Sequence, residues 1–205
     1  MLKIYLTRHG QDKDNEQGIL NGHRDEPLSD LGISQAGDLV MGIKKIGLTF
    51  EKVYTSPLLR TRQTADIIAR ELKLAEPEVL EDLIERDFGT MTGQKIADIK
   101  TLCAGNLLSA GPINYFLSPE GAETFPQLIV RAQKMLAKIE AWHQDGNVLL
   151  VTHGDIGKMI YAAYYNLDWQ ETLLLFHFGN TDLILLSPDS TPAQAHVLEA
   201  RQYNP

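Results

Sequence analysis

The sequence predicts an α/β fold: a three-layer sandwich whose mostly parallel central sheet carries helices on both faces. Three observations predict it. Short strand-like runs alternate along the chain with stretches of helical period. One run, "NVLLVT" at 147–152, is apolar almost throughout, as a strand buried on both faces must be. Three strand candidates also end directly in basic or imidazole-bearing sequence: "RHG" at 8–10, "TSPLLR" at 55–60 and "THGD" at 152–155. Ligands of open parallel sheets bind beyond the carboxyl ends of the strands, so these ends are predicted to meet in one crevice.

Residues 2–7 read as the first strand. Ser29 or Asp30 then caps a helix whose apolar face is Ala36, Leu39, Val40 and Ile43. "KVYT" at 52–55 is a short second strand. Ser56 followed by Pro57 predicts a cap and a first helical position, with Ala65, Ile68, Ala69 and Leu72 as the buried stripe. A brief strand near 78–80 precedes the polar, glycine-containing stretch "IERDFGTMTGQ". Residues 104–121 mix Gly, Pro, Ser and Asn with little period and read as an irregular lid. Thr124 and Gln127 form a capping-box pattern. The helix it opens carries Phe125, Leu128, Ile129, Ala132, Met135, Ile139 and Trp142. A further helix, with Ile156, Met159, Ile160 and Ala163 in register, follows the 147–152 strand. "DLILLS" at 182–187 and "HVLEA" at 196–200 close the sheet. The expected organisation is a single domain over 1–205 with a lid-like insertion near 90–122.

The bulk properties narrow the function. With 205 residues, 43% of them hydrophobic and 22% charged, the chain has ordinary globular composition and enough length for a sizeable core. A formal charge of −8 disfavours nucleic acid or an anionic membrane spread over a broad surface. A small anion held by a few converging cations remains compatible with it. Cys103 is the only cysteine, so no internal disulfide forms, and it is expected to be a small buried hydrophobe. Arg8 interrupts the first apolar stretch too early for a signal peptide. No apolar run reaches membrane-spanning length, and the expected location is cytoplasmic. The six histidines show no metal-ligand spacing; neither a metal nor a cofactor is expected. His143 and His196 read as surface or helix-end residues, and Arg62 as surface.

Four segments carry chemistry: "LTRHGQDKDN" at 6–15, "SPLLRTRQTA" at 56–65, "ERDFG" at 85–89 and "VTHGD" at 151–155. A cation in the first turn of a helix opposes the helix dipole, so Arg60 needs a reason other than helix stability. Glu81, Asp82, Glu85 and Asp87 crowd one stretch, and composition does not choose among them.

In order and spacing these segments resemble the histidine phosphatase superfamily, the phosphoglycerate mutase-like proteins, from residue 2 to about 187. "NGHRDEPLSDLG" and "PEGAET" extend the likeness. The resemblance implies that His9 attacks phosphorus and carries the phosphoryl group. Arg8 and Arg60 would clamp its oxygens, a task suited to the planar guanidinium fork. It implies His153 as a second imidazole donating to the phosphoryl group, with the Gly154 N–H beside it. It selects Glu85 as general acid and base. Asn15, Asn21 and Gly22 match phosphate- or substrate-contacting positions. Met91 and Thr92 depart from the family pattern, where an aromatic and an acidic residue are common. Between Ile96 and Val130 the only cation is Lys100. A mutase needs extra cations for a second anionic group, so the expected activity is hydrolysis of a small phosphorylated metabolite with an uncharged or apolar body. Lys13, His23, Arg24 and Lys95 leave a sugar bisphosphate open. Two alternatives stand beside hydrolysis: phosphoryl transfer of the phosphoglycerate mutase type, and a non-catalytic phospho-ligand-binding protein.

Overall fold

Leu2–Arg8 form β1, and the chain beyond it turns into the short helix α1 (Lys13–Glu16), where Asp12 accepts a hydrogen bond from the Asn15 amide at 2.7 Å. In the computed structural model, which describes residues 1–198, Ser29 caps α2 (Asp30–Lys45) through a bond from the Gly32 amide. Its predicted stripe of Ala36, Leu39, Val40 and Ile43 is buried. β2 (Lys52–Thr55) leads into α3 (Leu59–Leu72), which begins later than Ser56 and Pro57 suggest. The Ser56 hydroxyl is committed instead to the His153 ring at 2.7 Å, and Leu58 occupies the cap position with no side-chain bond.

A two-residue β3 (Glu78–Val79) and a series of short turns follow, then α4 (Ile99–Leu102). The stretch read as irregular contains an antiparallel hairpin, β4 (Leu107–Ala110) with β5 (Ile113–Phe116). Its two-residue turn is Gly111-Pro112, and Gly111 takes the positive φ of 59° that a tight hairpin connection demands. The strands are too short and too weakly alternating to announce themselves by period. The capping box of Thr124 and Gln127 opens α5 (Phe125–Trp142) as predicted. Trp142 departs from its stripe: at the last turn, past the core, it is 52% exposed. β6 (Gly146–Thr152), α6 (Gly154–Tyr165), α7 (Trp169–Leu175), β7 (Leu183–Leu186) and β8 (His196–Leu198) complete the described chain. Residues 199–200 of the predicted last strand lie outside the described residues.

The sheet has the order β3-β2-β6-β1-β7-β8. β3, β2, β6 and β1 are parallel; β7 and β8 are antiparallel. Helices α5 and α6 cover one face, burying Phe125, Leu128, Met135, Met159 and Ile160 against Ile4, Leu6, Val148 and Leu150. Helices α2 and α3 cover the other, over Tyr5, Val53, Leu149 and Val151. A smaller cluster of Phe88, Met91, Ile99, Cys103 and Phe116 lies where the hairpin joins the rest. His143 is bonded to Tyr54 at 3.0 Å at the end of α5. His196 is no surface residue: it lies half-buried in β8 with its ring 4.9 Å from that of Phe176.

Register fixes what matters for function. Arg8 pairs with Thr152, and Thr55 pairs with Val151. His9, His153 and Ser56 therefore leave three adjacent strands at the same edge. The backbone is tightly fitted there: a Cβ on Gly10 would strike the Gly32 backbone and one on Gly32 the Gln11 backbone, so both positions require glycine on steric grounds. Gly37, on the same helix as Gly32, has open space around it. Gly32→Ala is expected to destabilise the protein by about 1–3 kcal/mol. Gly37→Ala should stabilise it by roughly 0.5–1 kcal/mol. Urea unfolding checks both, and equal effects would show that the close approach is not a constraint.

Candidate active site

His9 is 2% exposed, and its amide donates to the Thr152 carbonyl at 3.0 Å. Its ring Nδ1 lies 2.7 Å from the Gly10 carbonyl. A carbonyl only accepts, so Nδ1 carries the proton and Nε2 keeps the lone pair. Burial, then the Arg60 and Arg8 guanidinium groups, hold the imidazole well below its ordinary pKa. A neutral ring with one defined basic nitrogen is what nucleophilic attack requires.

Arg60 is fully buried and joins several segments at once. Its Nη1 and Nη2 donate to the carbonyls of Arg24 and Gly22 at 2.7 and 2.8 Å. Its Nε donates to His153 Nδ1 at 3.2 Å and stands 3.2 Å from Asp12. Arginine is always a donor, so His153 Nδ1 is bare and its Nε2–H points at the Ser56 hydroxyl at 2.7 Å. Both ring nitrogens of His153 thus have protein partners. Its pKa, like that of His9, is pushed well down by burial and then by Arg60. The two rings meet edge to face, with centroids 5.1 Å apart.

Glu85 and Arg8 flank the start of α6. Glu85, 5% exposed, accepts from the amides of Arg86, Ile156 and Asp155 at 2.9, 3.1 and 3.3 Å. Burial, then the nearby Asp155 carboxylate, raises its pKa against the pull of those amides. The Glu85 backbone is gripped from behind, its carbonyl accepting from His23 at 2.8 Å and Arg131 at 3.2 Å. Arg8 Nη1 donates to the Phe178 carbonyl at 3.0 Å, while its buried Nε has no protein partner. A Cβ on Gly154 would stand 3.7 Å from the Glu85 carboxylate and 3.8 Å from the Arg8 guanidinium carbon. Gly154 therefore lies between the carboxyl and the guanidinium.

A cavity of about 410 Å³ opens over these groups. Arg8, Asn15, Asn21, Glu85 and Gly154 line it, with Ile19, Leu20, Phe88, Ile96, Ile99, Ile113 and Phe116 as an apolar wall. The Asn15 side-chain oxygen is buried without a protein partner. Asn21 donates to Asp12 at 2.5 Å, and the Gly22 carbonyl holds Arg60. His9, Arg60 and His153 are not among the residues that line this cavity; they pack against one another and Asp12 beside it. The structure thus gathers the predicted residues at one place: Asn21 lines the cavity and also bonds Asp12, whereas Gly22 takes part through Arg60.

Several neighbours escaped the sequence reading. Asp12 is fully buried, bonded to Asn21 and the Asn15 amide, and 3.9 Å from His9 Nδ1. Burial pushes its carboxyl pKa up, and Arg60 opposes that rise. An acid placed among three cationic or imidazole residues was the signal for it. Ser56, Asn180, His177 and Lys158 carried no comparable signal. Asn180 donates to the His9 carbonyl at 2.7 Å; His177 and Lys158 line the cavity. Among the described residues no group of three or more His, Cys, Asp or Glu side chains converges on a metal position. Nor is any described helix long and apolar enough to cross a membrane.

A buried imidazole pair, a buried guanidinium and a helix-capped carboxyl at parallel strand ends define a class, and the chain belongs to it: the sequence model of the histidine phosphatase superfamily (branch 1) matches residues 4–200. Among its relatives is a 2,3-bisphosphoglycerate-dependent phosphoglycerate mutase of Parvibaculum lavamentivorans, 27% identical over 84% of each chain. A probable fructose-2,6-bisphosphatase, TIGAR A, of Danio rerio is 35% identical over 71% of this chain and 58% of its own. The mycobacterial glucosyl-3-phosphoglycerate phosphatase, solved with VO3, superposes with a TM-score of 0.77 at 26% identity, covering 90% of this chain and 92% of that one.

The two histidines have a consequence for stability. Their unfolded forms take up protons as pH falls through 6.5, whereas the folded forms do not. Stability contributed by keeping them neutral is complete above that pH and is lost below it. At pH 5.5 the loss should be roughly 1 kcal/mol per histidine. His153→Gln should show a smaller fall than wild type between pH 7.5 and 5.5 by urea unfolding. Equal falls would contradict the assigned neutrality.

Proposed function

We propose that the protein is a phosphatase that hydrolyses a small phosphate monoester through a covalent phosphohistidine on His9, with Glu85 as general acid and then base. The observation that carries this reading is the hydrogen bond from His9 Nδ1 to the Gly10 carbonyl, which leaves Nε2 as the basic nitrogen. Nε2 attacks phosphorus in line with the leaving oxygen, and the P–O bond to that oxygen breaks as the N–P bond forms. Glu85 gives its proton to the leaving oxygen. It then removes one from the water that attacks phosphorus, and His9 leaves with the N–P electrons.

The unpartnered Nε of Arg8 and the Gly154 amide supply donors where phosphoryl charge develops, and Arg60 adds its field from behind. Asn15 offers a further amide to the same group. Donation from His153 requires its Nε2–H to exchange the Ser56 hydroxyl for a phosphoryl oxygen. The predominantly apolar cavity wall supports hydrolysis of an ester whose carbon skeleton is apolar, and residues near 90–122 would act as the lid over it. Guanidinium groups provide the positive charge, so the reaction is expected to need neither metal nor cofactor. Transfer of the mutase type is the second reading, favoured by the buried Lys158 in the same cavity.

An aryl phosphate incubated with EDTA should release phosphate, and His9→Ala should abolish that release. Phosphate-ligand binding without any turnover in wild type would support a binding protein instead. Glu85→Gln should slow hydrolysis of an alkyl phosphate about 10²- to 10⁴-fold while leaving inorganic phosphate affinity little changed. Undiminished turnover in that variant would remove Glu85 from the role.

A further inference from the structure

We propose that Lys158 is a specificity residue that binds an anionic oxygen group, a carboxylate or second phosphate, on the body of the substrate; this deepens the phosphatase reading of the same cavity. Lys158 stands on α6, one turn beyond Gly154, a rise of about 6 Å along the helix. It is 2% exposed, and its Nζ donates to the Tyr115 hydroxyl and the Leu173 carbonyl, both at 2.9 Å. An ammonium has three protons to give, and these two bonds use two of them. Both acceptors are neutral, and among the described residues no carboxylate lies within ion-pair distance of Nζ. Asp155, the nearest acid on the helix, is committed to Arg86 at 2.7 Å.

A buried cation with no carboxylate in contact, and only the more distant field of Asp155 to answer its charge, is held at a cost that a bound anion relieves. Burial lowers its pKa to about 8, which leaves it mostly protonated at neutral pH. Lys158 and Tyr115 line the cavity that also holds Arg8 and Glu85. The reacting phosphate belongs at the Arg8 end. A second anionic group one helical turn away therefore finds a prepared partner, with the apolar wall left for the carbon skeleton between them. Tyr115 links this recognition to the β4–β5 hairpin. The same lysine was invisible in the sequence because its partners come from β5 and α7.

Benzylphosphonate and 4-carboxybenzylphosphonate, neither of which can be hydrolysed, test this by calorimetry without recourse to turnover. Wild type should bind the carboxylated ligand about 10- to 100-fold more tightly. Lys158→Met should remove that preference while leaving benzylphosphonate affinity little changed. Tyr115→Phe, which takes away one competing acceptor, should keep or enlarge the preference and serves if the first variant does not fold. Equal weakening of both ligands in Lys158→Met, no preference in wild type, or a lost preference in Tyr115→Phe would each overturn the assignment. A preference that depends on Lys158 in a protein with no phosphatase activity would uphold this inference and remove the hydrolytic reading.

Discussion

The site depends on one buried cation. Arg60 has no exposed surface, and a guanidinium can be held there only if its donors are satisfied and its charge is answered. Carbonyls of Gly22 and Arg24, the His153 ring and Asp12 do this. Satisfying the guanidinium thus fixes the loop at 21–24, the turn after β1 and the end of β6 around one plane. Burial keeps both imidazoles neutral, and the Arg60 charge adds to that effect. A single residue placed against its own helix dipole organises the geometry and reinforces the protonation state that burial favours.

Around that centre the fold supplies rigidity by register. Parallel pairing of β1 with β6 and of β6 with β2 brings His9, His153 and Ser56 to one level, and the pairs are buried between two helical layers. Opposite them, Arg86 and Arg131 hold the Glu85 segment. Arg86 is 1% exposed, bonded to Asp155 at 2.7 Å and stacked 4.3 Å over the Phe116 ring. Arg131 reaches the carbonyls of Asp82 and Ile84, both at 2.7 Å. The acid is therefore carried on a loop whose backbone is pinned, while the apolar cavity wall comes from the more weakly embedded hairpin and turns.

Much of this was legible in the chain itself, and the reasons are local. A buried parallel strand such as 147–152 has to be apolar, and helices that cover a sheet have to show a stripe, so the layers could be read. His9, Arg60 and His153 stood out because they sit where strand or helix chemistry does not want them. Ser56 was misread because its preference for a cap yielded to a partner 97 positions away. The β4–β5 hairpin was missed because short strands packed on one side carry no strong alternation. Asp12 and Lys158 take their meaning from tertiary neighbours: the first from Arg60 and Asn21, the second from Tyr115 and Leu173. His196 went the same way, since the ring it packs on belongs to a distant segment.

The most direct measurement is to quench the wild-type enzyme within milliseconds of mixing with a radiolabelled aryl phosphate and to map the label. A phosphoryl group on the His9 imidazole, labile in acid, stable in base and formed no more slowly than overall turnover, is the expected result. Steady release of phosphate with no phosphoryl group on His9, or with the group on another residue, would contradict the account.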